Sequence, residues 1–207
     1  QRCGSQRVTD VQHYGAYGTV ALRFDGIPVD LASARREIYP VPAQNPKVEP
    51  GTLEQDLLRR DFTINAMAID LMAEQLVDSH SGQRGLTDKQ LTLLHDHSIR
   101  DDPTRVIRAA RYAARLGFTL DETTQAQITQ TIQAWPWAWS TSASATAAPP
   151  ALSTRLRMEL DRLFSNEPWA AALDQLSNWQ AMPLIDAGLQ VDPRRCRRLR
   201  QAQRLGL

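Results

Sequence analysis

Arg59 and Arg60 stand side by side between Asp56 and Asp61, and Asn65 follows four residues on, in the segment DLLRRDFTINA. Guanidinium groups grip phosphate oxygens in a two-pronged fork. Aspartate and asparagine can hydrogen-bond a ribose or a base edge. Together these types suit a nucleoside triphosphate, and they would equally make a surface ion-pair cluster. A second group lies at Asp101-Asp102-Pro103-Thr104-Arg105. Arg105, Arg108, Arg111 and Arg115 then recur at helical spacing. Such a stripe is either a solvated face or, beside Asp101 and Asp102, a wall facing a triphosphate. Asp30 sits in an apolar strand-like run, where an acid is either solvent-facing or a metal ligand.

The elements that must carry these residues are partly legible. Tyr17–Phe24 alternates Thr19, Ala21 and Arg23 against Val20, Leu22 and Phe24, as a strand does. Asp25-Gly26 is a hairpin signal. Ile27–Leu31 reads as the returning strand, with Pro28 placing it at an edge. The first sixteen residues are polar and carry little pattern. Residues 39–50 hold four prolines (40, 42, 46 and 50) and read as an extended connector. Leu53–Arg60 reads as a short helix, Ile64–Leu71 as strand or buried helix, and Asp78–Arg84 as turns. Asp102 and Pro103 begin the clearest helix, as N-cap and first helical residue. Val106, Ala109, Ala113 and Leu116 line its apolar face, and Gly117 stops it. Trp135–Ser153 is low in complexity and reads as a loop or insertion. Leu156, Leu160, Leu163 and Phe164 mark another amphipathic helix, with Arg155 and Glu159 paired on its exposed side. Ala170–Leu176 and Arg194–Arg204 read as helical.

The chain has 207 residues, 42% of them hydrophobic, which is enough for one ordinary domain or two small ones. No run approaches the ~20 apolar residues of a membrane span, and the start has no secretory h-region. Cys3 and Cys196 lie near opposite ends and form no metal-type spacing. A cytoplasmic location is expected. Net charge is +1, so nothing global pulls the chain toward nucleic acid. Of 24 basic residues only Lys47 and Lys89 are lysines, a bias that fits either a GC-rich genome or phosphate recognition. Six arginines between Arg194 and Arg204 form a basic run.

DLLRRDFTINAMAIDL followed by RDDPTRVIRAARYAARLGF resembles the class II tRNA nucleotidyltransferases (CCA-adding enzymes) and the bacterial poly(A) polymerases. The preceding YGTV and IPVDLASARREIY are similar to the third-strand region of the same head domain. The resemblance runs from Tyr17 to Phe118 and weakly on to Leu163. It implies an α+β fold: a partial polymerase-β-like nucleotidyltransferase head with few strands, followed by an all-α neck and body. The expected divisions are a partial head at 1–85, a helical neck with the nucleotide-template helix at 86–134, a loop or insertion at 135–153, and neck or body helices at 154–207.

The resemblance also implies roles. Arg59 and Arg60 would hold phosphates, braced by Asp56, with Asp61 and Asn65 near the ribose. Asp101, Asp102 and Arg105 would select the incoming base, the acid accepting from the amine shared by C and A, and Arg108 lies one turn further on. A buried acid facing U would be left unpaired. The implied activity is template-independent addition of C and/or A from CTP and ATP to a tRNA or other RNA 3′ end, with Mg2+ as cofactor. The alternatives are poly(A) polymerase and a non-catalytic RNA-binding remnant.

Some family features are changed or missing. The Gly-Gly-x-x-Arg-Asp loop and the Asp-x-Asp strand that holds two magnesium ions do not occur in these residues. Asp30 alone matches a downstream strand acid. The chain alone is therefore expected to be inactive, with a partly exposed head edge that favours association.

Overall fold

The computed structural model describes residues 7–15, 18–134 and 150–186, with positions 189, 192, 194, 197, 198, 201 and 202. The low-complexity stretch lies outside the described residues up to position 149, as does much of the arginine-rich run at 194–204. The α+β class expected from the sequence is what the chain adopts. It divides into two compact units, one of residues 1–38 and 47–59, the other of residues 39–46 and 60–207.

The first unit is β-rich. Strands β1 (Val8–Tyr14), β2 (Thr19–Phe24) and β3 (Ile27–Ala32) form an antiparallel meander in that order. Asp25 and Gly26 join β2 to β3 with φ values of 49° and 79°, the pair of positive angles that a two-residue type I′ hairpin needs. Pro28 lies on β3 at the sheet edge, where its missing N–H is tolerated. Strand β1 was not expected. Its side chains are almost all exposed, so no hydrophobic alternation marks it. Backbone pairing to β2 alone defines it, across a bulge between Thr9 and Gln12.

Strands β4 (Arg35–Ile38) and β5 (Lys47–Pro50) pair antiparallel. The expected proline-rich connector thus ends in a strand, because Pro46 and Pro50 bracket the pairing instead of interrupting it. Helix α1 (Leu53–Leu58) opens on a capping box: Thr52 Oγ1 accepts from the Gln55 N–H, and Gln55 Oε1 accepts from the Thr52 N–H. Among the described residues, Leu57 is the one large apolar side chain of this unit that is fully buried. Val11, Tyr14, Ile27, Leu31 and Ile38 are exposed.

The second unit holds the core. Phe62, Leu91, Ile99, Val106, Ile107, Leu163, Leu176 and Leu184 are sealed from solvent in one cluster. A 3-10 turn (Thr63–Asn65) follows the arginine pair, then the hairpin β6 (Ala68–Asp70) and β7 (Gln75–Val77). This settles Ile64–Leu71: the turn forms first and only its end is a strand. Helix α2 (Gly82–Asp88) occupies part of the segment read as turns. Strand β8 (Gln90–Leu91) pairs parallel with β9 (Thr119–Leu120) on either side of α3 (Ser98–Asp101) and α4 (Thr104–Leu116).

Helix α4 ends as the sequence suggests but starts one residue later, with Pro103 as N-cap and Asp102 closing α3. Asp102 Oδ1 accepts from the Thr104 N–H at 3.2 Å, and Gly117 closes the helix at φ 69°. Val106, Ala109 and Ala113 are buried, whereas Leu116, expected on the same face, is exposed at the helix end. The helices α5 (Glu122–Ala134), α6 (Pro150–Asn166) and α7 (Trp169–Asn178) complete the unit, and α4 packs on both α6 and α7.

Most of the arginine stripe of α4 is not a solvated face: Arg105 and Arg111 are buried and Arg108 is partly buried, whereas Arg115 is exposed. Arg111 is 8% exposed and donates to Glu159 of α6 and, at 3.0 Å, to Glu167. Arg115 donates to the same Glu167 oxygen at 2.8 Å. The expected surface pair of Arg155 with Glu159 does not form. Glu159 turns inward to the α4 arginines, and Arg155 donates to the Ala43 and Gln44 carbonyls. The cause is electrostatic: a guanidinium held under a helix needs an anion there, or it forfeits its hydration uncompensated. No helix among the described residues is long and apolar enough to cross a membrane.

Candidate functional site

Asp56 and Arg59 belong to the first unit. Asp56 is buried, and its Oδ1 accepts from Arg59 Nε at 3.0 Å and Nη2 at 2.8 Å. The same oxygen accepts from the Arg35 backbone N–H at 3.2 Å, which ties the helix to β4. Arg59 also donates to Glu37 Oε1 at 3.2 Å, and so does the Arg35 side chain. Arg59 is thus pre-aimed by two carboxylates. Rigid placement lowers the entropy lost when a guanidinium binds an anion. Sequence reasoning missed Arg35 and Glu37, although their spacing of two in β4 puts them on one strand face.

The second unit holds the other predicted residues. Arg60 is exposed and donates to the Asn65 carbonyl at 3.2 Å. Asp61 is 6% exposed. Its Oδ1 accepts from the Phe62 N–H at 2.8 Å and from Asn65 Nδ2 at 2.9 Å, while its Oδ2 accepts from Arg108 at 3.0 Å. The Asn65 side chain also hydrogen-bonds the Tyr112 hydroxyl, whose pKa is raised by burial and by Asp61. The structure therefore joins Asp61, Asn65 and Arg108 into one network.

The backbone of this turn is fixed from two sides. The Thr63 N–H donates to the Thr92 carbonyl at 2.9 Å, and Phe62 bridges Leu93. Phe62 is fully buried with its ring edge-on to Tyr112. From below, α2 approaches so closely that a Cβ on Gly82 would lie 2.5 Å from the Thr63 carbonyl oxygen. Asp78 caps that helix, accepting from the Gly82 and Gln83 N–H groups, and these bonds, led by Gln83, hold its carboxyl below the ordinary value.

Asp101, Asp102 and Arg105 frame the start of α4. Asp101 is half-buried, and burial raises its carboxyl pKa against the opposing pull of Arg105, His97 and Arg100. Asp102 Oδ1 accepts from the Thr104 hydroxyl at 2.7 Å and lies 3.7 Å from Arg155 Nε. Arg105 is 4% exposed and donates to Ser98 Oγ. Arg108 reaches both Asp61 and Glu159. Burial opposes its charge, but Glu159 and Asp61 outweigh that and hold its pKa above the usual arginine value.

Residues 5–92 match the poly A polymerase head domain. The chain is 44% identical over 126 residues to an A-adding tRNA nucleotidyltransferase of Aquifex aeolicus, covering 59% of this chain and 15% of that protein. It is 50% identical over 95 residues to a CC-adding tRNA nucleotidyltransferase of Deinococcus radiodurans, covering 44% of this chain and 25% of that one. It also superposes on a crystal structure of a tRNA nucleotidyltransferase complexed with a primer tRNA and an incoming ATP analog. There the TM-score is 0.75 at 30% identity, over 95% of this chain and 52% of that one. Residues 5–92 thus match a head domain, and the chain resembles the tRNA nucleotidyltransferases in both sequence and fold. The matches span about a seventh to a quarter of the length of these two curated relatives, and about half of the solved chain.

The described residues do not fit the magnesium site that the resemblance implies. Among the described residues no three His, Cys, Asp or Glu side chains group as metal donors. Asp30 lies exposed on β3, opposite Ala21. The described residues therefore offer no ligand set for magnesium. Besides Arg35 and Glu37, sequence reasoning missed Tyr112 and Glu159 as partners of the motif. For Glu159 a signal existed: it falls three residues after Leu156 and four before Leu163, on the apolar side of α6.

Proposed function

We propose that the chain carries the nucleotide-positioning part of an RNA 3′-end nucleotidyltransferase that takes CTP and ATP. One observation carries this reading. The RDFTIN turn (residues 60–65) and the Asp101-Asp102-x-x-Arg105 start of α4 lie in the same unit and are tied by the Arg108–Asp61 ion pair. Arg60 would take phosphate oxygens. Asn65 would meet the sugar, its amide oriented by Asp61 and Tyr112. Asp101, Asp102 and Arg105 would read the base edge, with Asp102 also accepting from the Thr104 N–H. A tRNA 3′ end is the proposed acceptor, by likeness to the tRNA nucleotidyltransferases named above, and magnesium would be held by carboxylates other than those described.

Equilibrium binding of CTP, ATP and UTP to the 207-residue chain tests this. CTP and ATP should bind more tightly than UTP, and Arg60→Ala should weaken all three by about tenfold, the loss of one charge-assisted hydrogen bond. Arg105→Lys should erase the preference over UTP with the helical signal intact. Equal binding of all three by the wild-type chain overturns the reading. Nucleotide addition to tRNA by this chain alone is not expected, and robust addition would refute the assignment of the metal carboxylates elsewhere.

A further inference from the structure

Arg108 is placed between two carboxylates that belong to different parts of the second unit. One of its terminal nitrogens donates to Asp61 at 3.0 Å and the other to Glu159 at 3.1 Å. Glu159 is 3% exposed and accepts from three arginines: Arg108, Arg111 and, at 3.0 Å, Arg162. Asp61 uses its other oxygen to hold Asn65 Nδ2. The connection runs from α6 through α4 to the turn, every step a charged or charge-assisted hydrogen bond in a partly buried setting, where such bonds are stronger than at the open surface.

Guanidinium and carboxylate favour a two-pronged pairing when nothing else competes. Glu159 competes: by taking one nitrogen of Arg108 it leaves only the other for Asp61. Asp61 keeps one oxygen for Asn65 as a result. Without the Glu159 charge, Arg108 is free to turn both prongs onto Asp61, and the bond that orients the Asn65 amide is lost. We propose that Glu159 is a positioning residue for the nucleotide motif, acting through Arg108 and Asp61 on the side-chain amide of Asn65. The inference rests on reading that turn as nucleotide-binding, but its first readout needs no nucleotide.

The test compares Glu159→Gln, Glu159→Asp and Glu167→Gln in the full 207-residue chain. The Asn65 side-chain amide resonances are followed by nitrogen-15 NMR, and ATP and CTP affinities are measured alongside. Glu159→Gln should shift the Asn65 amide signals and weaken ATP and CTP by about tenfold, and Glu159→Asp should recover part of both. Glu167→Gln breaks pairs of Arg111 and Arg115 in the same helical unit without touching Arg108, so it should leave Asn65 unmoved. An Asn65 amide unaffected by Glu159→Gln, or moved equally by Glu167→Gln, overturns the proposal. Should Glu159→Gln fail to fold, Glu159→Asp carries the comparison with a smaller shift, because it keeps the charge but its shorter arm loosens the hold on Arg108. A wild-type chain that binds no triphosphate refutes the function proposed above, while the amide comparison still decides this inference.

Discussion

Gly82→Ala gives a direct test of how the nucleotide motif is supported. A Cβ at position 82 would lie 2.5 Å from the Thr63 carbonyl oxygen and 2.8 Å from Met67 Cγ. The methionine can move aside, since it is unbranched and adaptable. The carbonyl cannot move easily, because the same residue donates its N–H to Thr92 and accepts from the Ala66 N–H at 3.0 Å. To reach ordinary contact the turn must retreat by about 1 Å, a forced backbone shift of the kind that costs ~1–3 kcal/mol. Replacing glycine in a helix returns at most ~1 kcal/mol. A net loss of about 1–2 kcal/mol is expected, read as a lower urea midpoint with unchanged slope. Gly15→Ala is the control, since no atom lies within 4 Å of its Cβ position. Displacement of the turn should also disturb Asn65, so ATP affinity should fall in parallel. A Gly82→Ala protein as stable as wild type would refute the close approach of α2 to the turn.

Three further outcomes follow from particular residues. His95 is held neutral, its pKa lowered to about 4 by burial, then by Arg105 and His97. The unfolded chain protonates near 6.5 and the folded chain only near 4, so stability falls as pH drops through that window. Partial exposure discounts the loss to ~1–2 kcal/mol between pH 7 and pH 5. Urea denaturation at the two pH values should show it, and His95→Gln should reduce it. Gly117→Ala meets no steric neighbour but must hold φ 69°. It should cost about 1 kcal/mol in the same assay. Thr52→Ala removes half of the α1 capping box and should cost ~1 kcal/mol, with Thr52→Ser close to neutral.

Much of the local structure was written in short-range pattern. Asp25-Gly26 specified a hairpin, and Gly117 set the end of α4, because caps and turns depend on neighbours a few residues away. The arginine pair with Asp61 and Asn65 marked the candidate site for the same reason. β1 was hidden because its side chains are exposed and its only signal is backbone pairing with β2. α2 was hidden because its two glycines read as turn residues, whereas both are small so that the 63–65 turn can pack against them.

What only the tertiary structure decided is where the charges go. The sequence presents a row of arginines on α4 and two isolated acids, Glu159 and Glu167, more than forty residues further on. Nothing in their spacing pairs them, since ion pairs between distant segments leave no periodicity. Packing α4 against α6 and α7 withdraws Arg108 and Arg111 from much of the water, and burial forces both to find anions. A stripe that could have been solvated becomes a set of internal bonds. One of its members, Arg108, fixes Asp61, and through it the asparagine on which the nucleotide reading depends.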